Sequence, residues 1–252
     1  MNVTLNSYNL SSSFIRVNRV MHDSSPENIL NSIVVPRRDK AKLLSSELAP
    51  KKITIEGIIT GTDQDNLEIN IDAFKKNVYV NEINLDISYA SGTRRYVVTP
   101  SSIVISRDTN NITFVPFSIE LTALDPAGIN ITQESRTYTG IDPTSYTATV
   151  TVQGTLYPEP TITFTITTCT NFTELTMTNR YRSDYLTIPG LFSDGDSIEV
   201  NYASRTVKRN TIEHEYTGVF PEFKLDDNTI DLDITASSCN MTMDLDYYPR
   251  YL

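Results

Sequence analysis

Three pairs of aspartates could in principle do acid–base chemistry on a sugar: Asp63/Asp65, Asp194/Asp196 and Asp231/Asp233. A glycosidase holds two carboxylates about 5–9 Å apart across a cleft, one protonating the leaving oxygen while the other works on the opposite face. Nothing in the sequence selects one of these pairs. Asp194-Gly195-Asp196 reads as a turn, because Asp bonds its own backbone and Gly takes positive φ; Asp231 and Asp233 read as the solvated face of a strand. His214, between Glu213 and Glu215, is of the right type for a proton shuttle but lies in what reads as a surface hairpin. Neither Ser nor Cys stands in a Gly-x-Ser-x-Gly elbow. Cys169 and Cys239 with His22 and His214 would not make a four-ligand zinc site without carboxylates. Both cysteines end a Thr- or Ser-rich strand and are expected reduced and partly buried, with their pairing left open. No catalytic residue, metal or cofactor is expected, and the chain is read as a non-enzyme.

Charge narrows the partners. The 252 residues carry a net −10, whereas nucleic-acid binding needs clustered Lys and Arg to neutralise phosphates. The basic residues come in short pairs, Arg37-Arg38, Lys51-Lys52, Lys75-Lys76, Arg94-Arg95 and Lys208-Arg209, read as solvated surface. No specific nucleic-acid binding is expected. No apolar run approaches about 18 residues, so no membrane insertion is expected. Met1 to Leu5 lacks a basic region followed by an apolar core, so synthesis in a cytoplasm without a signal peptide is expected. There are 14 Tyr and no Trp. Tyr157, Tyr181, Tyr185, Tyr202 and Tyr216 fall in or near loops of the second half. They are candidate sugar contacts, to be weighed against packing at sheet edges or subunit contacts.

These side chains must be positioned mainly by strands. Lys52 to Ile59, Ile83 to Ile87, Arg94 to Thr99, Ile103 to Ser106 and Ile112 to Leu121 alternate apolar and polar, which predicts sheets with one buried face. From Asp63 to Tyr79 the apolar residues Leu67, Ile71, Phe74 and Val78 recur at helical spacing, with Thr62 or Asp63 to cap the first turn. The stretch Leu124 to Tyr146, with Asp125-Pro126 and Gly140-Ile141-Asp142-Pro143-Thr144, is turn-rich. We place a boundary there, giving domains 1–140 and 141–252. The second half predicts some eight short strands, Tyr146–Gln153, Thr161–Thr167, Phe172–Thr178, Asp184–Ile188, Ser197–Tyr202, Thr206–Lys208, Thr229–Ile234 and Met241–Tyr248, as in an antiparallel sandwich.

The landmarks fall in an order that resembles the distal tail proteins of long-tailed, siphovirus-type bacteriophages. The strand ending Gly57-Ile58-Ile59, the helix with Leu67, Ile71 and Phe74, the hairpin carrying Tyr96 and the strand through Phe114-Val115-Pro116-Phe117 match the family's first domain. In the second, the match rests on Asp194-Gly195-Asp196-Ser197-Ile198, on Arg205 to Asn210, and on Gly218-Val219-Phe220-Pro221. Asp227-Asn228-Thr229-Ile230 and the closing Tyr247-Tyr248-Pro249-Arg250-Tyr251-Leu252 complete it. Where the family carries Gly after the Asn at 210, this chain has Thr211, so that loop is expected to be longer or of another turn type. Asp227 likewise stands where Gly is usual.

The resemblance implies a mainly β protein, with an N-terminal β-barrel-like or split-sheet domain and one helix, then a galectin-like, carbohydrate-module-like sandwich. It also implies a homohexameric ring at the virion tail tip. The ring would join the tail tube protein to the tail-tip hub, let DNA pass, and support receptor-binding parts or touch a host saccharide. Tyr247, Tyr248, Arg250 and Tyr251 are expected to serve as interface or interdomain packing, the last strand packing back on the first domain in the second case, since tyrosines and an Arg clustered beside the end of a strand are otherwise poorly explained. The alternative is a lectin-like host-adhesion protein.

Overall fold

Alternating sequence becomes antiparallel sheet in both halves. The computed structural model describes residues 2–22, 24–34, 41–107, 113–142 and 145–252, without the side chains of 34, 41 and 42. The Arg37-Arg38 pair, Ile112 and the Pro143-Thr144 turn lie outside the described residues. The chain divides into two compact units between Ile131 and Thr132, ahead of the boundary expected at 140/141. The difference has a clear cause: Glu134–Ile141 is a strand, and it pairs with Ser238–Tyr247 of the second unit.

In the first unit one sheet runs in the order Tyr8–Asn9, Val3–Leu5, Ile83–Tyr89, Gly92–Ile105, Phe114–Ala123, Lys51–Thr60, Ile15–Met21. The path is open: its two end strands do not pair, so among the described residues the sheet is split rather than closed as a barrel. Gly92–Ile105 absorbs two expected strands, running straight through Pro100 with a register shift between Pro100 and Ser102. Helix Gln64–Val78 covers one face. Asp63 caps it, its Oδ1 accepting from the Asn66 amide at 2.8 Å, as a short acidic side chain at the first turn does. Asp65 in the first turn and Lys75 and Lys76 in the last suit the helix dipole. Leu67, Ile71, Phe74 and Val78 are buried, and Phe74 packs on Phe117 with ring centroids 4.6 Å apart. Gly57 makes room for this contact, since a Cβ there would meet the Phe117 ring at 2.7 Å. Lys51 corrects the reading of its pair as solvated surface. It is buried, with its ammonium 5.3 Å from the Tyr96 ring centroid. This cation–π placement stands in for hydration.

Strands Asn28–Val34 and Ala41–Leu48 form a separate two-stranded hairpin. Its register shifts between Asn31 and Ser32, opposite Ser45 and Leu43, which leaves Leu44 as the extra residue of a β-bulge.

The second unit is a sandwich of two antiparallel sheets. One runs Glu134–Ile141, Ser238–Tyr247, Thr161–Thr170, Ser197–Asn201, Thr206–Arg209, Ile212–Glu213. The other runs Tyr146–Val152, Asp226–Thr235, Phe172–Asn179, Asp184–Phe192, Thr217–Gly218. Residues from both sheets, among them Val150, Ile162, Phe164, Phe172, Leu186, Ile230 and Met243, make one buried core. Threonines on the outer faces hydrogen-bond aspartates directly opposite: Thr137 to Asp244, Thr147 to Asp231 and Thr151 to Asp227, at 2.6–2.7 Å. The Asn210 loop departs from expectation. Arg209 pairs with Ile212, so the loop is only Asn210-Thr211, with φ of 49° and 74°. That is the two-residue, doubly positive hairpin geometry that Asn-Gly favours, here forced on a β-branched residue. The Asn210 side chain helps hold it, accepting from the Ser197 amide and donating to Asp196.

Candidate functional site

Three loops and the Arg250 segment meet at one end of the sandwich and enclose a cleft of about 290 Å³. Leu156 to Glu159 come from the loop before Thr161–Thr170. Tyr202 and Arg205 come from the turn after Ser197–Asn201, and Glu222 and Phe223 from the segment after Thr217–Gly218. Gly218 sets the path of that segment. Its φ is +92°, and a Cβ there would run into the Tyr185 carbonyl, which instead accepts the Val219 amide at 2.8 Å. Only glycine takes this conformation without steric cost. Two buried asparagines pin the residues beyond it. Asn179 donates to the Glu222 carbonyl at 2.7 Å, and Asn228 accepts from the Lys224 amide and donates to the Lys224 carbonyl, both at 2.9 Å.

The structure brings four of the five candidate tyrosines to this end. Tyr157 hydrogen-bonds Tyr181, an interaction that raises the Tyr157 phenol. The Tyr181 ring has the Arg182 guanidinium and the Lys224 ammonium each 5.7 Å from its centroid. Tyr216 and Tyr202 both set an edge against Phe220, at 5.3 and 5.2 Å, and Tyr202 also meets Phe223, the arrangement that ring quadrupoles prefer. Tyr202 is not the exposed platform its loop position suggested. It is only 5% exposed, and its hydroxyl is buried without a hydrogen-bond partner among the described residues. Burial pushes its phenol far above the ordinary value, with Arg205 pulling the other way, because a buried phenolate loses its hydration. Tyr185 is exposed on its strand and does not line the cleft. Charges around the opening include two ion pairs, Arg250 with Glu159 at 2.9 Å and Arg182 with Glu222 at 2.7 Å, and Arg205, whose guanidinium lies 5.5 Å from the Phe220 ring centroid. Arg182, Arg205, Glu222, Phe220 and Phe223 are not among the candidate site residues of the sequence, where Arg205 and Phe220 stand only as landmarks of the resemblance. The Gly218-to-Phe223 stretch was the available signal.

The closing residues divide in their placement. Tyr247 ends its strand inside the sandwich, 1% exposed, its hydroxyl accepting from the Gln153 amide and donating to the Thr151 carbonyl. It is a core residue of its own unit, because the strand alternation that buries Met241, Met243 and Leu245 buries it as well. Tyr248 is exposed. The Arg250 carbonyl accepts from the Thr155 and Leu156 amides at 2.9 and 3.1 Å, and Tyr251 is half-buried.

Four of the six carboxylates in the suspected acid pairs are occupied structurally. Asp63 is the helix cap, and Asp194 accepts the Cys169 amide. Asp196 is bound by Arg209, Asn210 and the Ser193 amide, and Asp231 by Arg180 and Thr147. His214 sits 2.6 Å from the Pro189 carbonyl with its ring against Phe192. Among the described residues no group of three His, Cys, Asp or Glu could hold a metal ion.

In the first unit, the hairpin exposes Ile29, Leu30, Ile33, Leu43 and Leu44, between 46% and 63% each.

The chain thus combines an open β domain, carrying one covering helix and an apolar hairpin, with an antiparallel sandwich. Residues 3–123 match the model of the phage tail protein RIFT-related domain, and residues 153–251 that of the siphovirus-type tail component, C-terminal domain. The chain belongs to this family of siphovirus-type distal tail proteins, structural components of the virion tail tip. Among solved structures, the crystal structure of SPP1 Dit, described as a paradigm of the hub adsorption apparatus in phages infecting Gram-positive bacteria, shares the fold. It has a TM-score of 0.71 and 13% identity over 100% of this chain and 99% of that one. A chain of the phage P2 baseplate in its activated conformation with Ca aligns at TM-score 0.44 and 5% identity, over 92% of this chain and 97% of that one. A comparison with curated protein sequences found no match.

Proposed function

We propose that six copies of the chain join head to tail through the first unit into a ring between tail tube and tail-tip hub. DNA passes through the lumen, and the second unit supports the parts that meet the host. The hairpin Asn28–Val34/Ala41–Leu48 carries this reading. A lone two-stranded hairpin is marginal in water, and this one holds five large aliphatic side chains in solvent. Burying each fully would contribute about 1.5–3 kcal/mol, which a neighbouring subunit can supply. A heterologous contact that closes on itself lets every subunit offer the hairpin once and receive it once. No step of this function requires catalysis.

Mass photometry tests it. Each chain weighs 28.3 kDa. The expected species is a closed ring of six, about 170 kDa, formed alone or on adding tube and hub proteins. The Leu30→Ser/Leu44→Ser variant is expected to stay monomeric with an unchanged unfolding curve. A ring that forms undiminished in that variant, or wild-type protein that stays monomeric with both partners present, would overturn the proposal.

One observation favours a second reading, that the second unit binds a saccharide: Tyr157 and Tyr202 line the cleft, with Tyr181 bonded to Tyr157 and Tyr216 sharing Phe220 with Tyr202. Aromatic faces with balanced polar groups suit an uncharged polyol. A glycan array probed with the full chain and with Tyr181→Ala tests this. Binding lost in the variant supports it, and silence across the array removes it.

A further inference from the structure

We propose that Cys169 and Cys239 form an oxidisable dithiol, which closes into a cross-strand disulfide when the protein meets a low-molecular-weight disulfide. Both thiols are free. They stand directly opposite each other in the ladder between Thr161–Thr170 and Ser238–Tyr247. Residues so opposed in antiparallel strands have Cα atoms about 4.5–5.5 Å apart, inside the roughly 4.4–6.8 Å that a disulfide spans. The Cys169 amide donates to Asp194 Oδ1 at 2.6 Å and not to Cys239. That marks the pair as the non-hydrogen-bonded kind, in which side chains come closest. Both side chains lie on the inner side of the sheet, Cys239 in the core and Cys169 half-buried against it. The bond could therefore form without strand separation.

The surroundings set the order of events. Burial pushes the Cys239 thiol up to about 11, with Cys169 and Asp142 adding to the shift. Burial also raises Cys169, reinforced by Asp194, and its Sγ donates to the Phe192 carbonyl at 3.3 Å. Both are protonated at neutral pH, and thiolate is the reactive form, so closure is slow. Cys169 is the more accessible. Its thiolate attacks one sulfur of the small disulfide, forming a mixed disulfide and releasing the first small thiol. Cys239 then attacks the Cys169 sulfur and releases the second. Two protein thiols lose two electrons and two protons, and one small disulfide becomes two small thiols. A tail-tip protein passes from a reducing cytoplasm, where the dithiol persists, to the oxidising exterior of the virion, where the bridge is favoured. The resulting loop would tie the first long strand of the sheet to the last.

The test is to hold wild-type protein with oxidised glutathione at pH 8, quench in acid, denature, alkylate and weigh. The expected product is monomeric, about 2 Da lighter than the reduced chain, with no alkylation and one peptide cross-link between Cys169 and Cys239. Its second unit is expected to unfold at a temperature higher by on the order of 10 °C. Cys239→Ser should stop with one glutathionyl group on Cys169, and Cys169→Ser should leave Cys239 free. Two alkylatable thiols in wild type after equilibration, glutathione on both cysteines, or disulfide-linked dimers would each overturn the proposal. None of these outcomes depends on ring formation or sugar binding.

Discussion

Asn179 Nδ2 lies 3.1 Å from Asn228 Oδ1, and both side chains are buried in the sandwich. The two carboxamides fasten the Glu222-to-Lys224 segment that forms one wall of the cleft. Asn228→Ala would leave the Lys224 amide and carbonyl, and Asn179, short of partners. Each buried orphan costs about 1–3 kcal/mol. We expect the second unit to lose roughly 3 kcal/mol in urea unfolding, while the first-unit transition stays put.

Asp196 governs the acid limb. Burial alone would raise its carboxyl, but bonds from Asn210, the Ser193 amide and Arg209 outweigh this and hold it below the usual carboxylate value. A group depressed in the fold contributes stability that is fully present above its unfolded value, about 3.9. That contribution is lost as pH falls through the lower folded value. Asp231, held down chiefly by Arg180, acts in the same sense. Thermal scans are expected to show melting temperature falling below about pH 4. Asp196→Asn should melt lower at pH 7, with a flatter acid decline.

Thr211 offers the opposite sign. It sits at φ 74°, where a β-branched residue is strained by about 1–3 kcal/mol. Thr211→Gly would restore the residue this turn prefers, and it is expected to stabilise the second unit by about 1 kcal/mol in chemical denaturation.

Tyr247 separates packing from hydrogen bonding. Its hydroxyl is shared by Gln153 and Thr151, and Tyr247→Phe removes it, which should cost about 1 kcal/mol. Tyr247→Ala opens a core cavity and should cost about 3–5 kcal/mol. Equal small losses in both variants, read by urea unfolding, would contradict its placement in the core.

The sequence made some elements far more legible than others, for physical reasons. The helix was plain because Leu67, Ile71, Phe74 and Val78 have no reading as a strand face. The sandwich strands were plain because Thr alternates with Ile, Phe and Val. The apolar hairpin escaped notice because its large residues come as neighbours, Ile29-Leu30 and Leu43-Leu44, which no single buried face can take. Its order rests on pairing with itself. Glu134–Ile141 falls in the turn-rich stretch and gives no strand signal because only its last residue is buried, its place being fixed by Ser238–Tyr247 far along the chain. Tyrosines near loops could be flagged as a set, but their convergence depends on Phe220, Phe223 and the buried asparagines, which sit on separate strands and turns. Lys51 read as surface because a charge buried over an aromatic ring leaves no pattern in a short window.

The position of Ser238–Tyr247 between Glu134–Ile141 and Thr161–Thr170 matters during synthesis. Both neighbours leave the ribosome long before the strand that must lie between them. At about 5–20 residues per second, they wait on the order of ten seconds with facing edges unpaired. The seven strands of the first-unit path, all made by Ala123, can pair in that interval. Newly made protein thus passes through a stage in which most of the first-unit sheet is paired while the second-unit sheet still lacks Ser238–Tyr247. At that stage the facing edges of Glu134–Ile141 and Thr161–Thr170 are open to strand pairing between chains, the hazard of any exposed sheet edge.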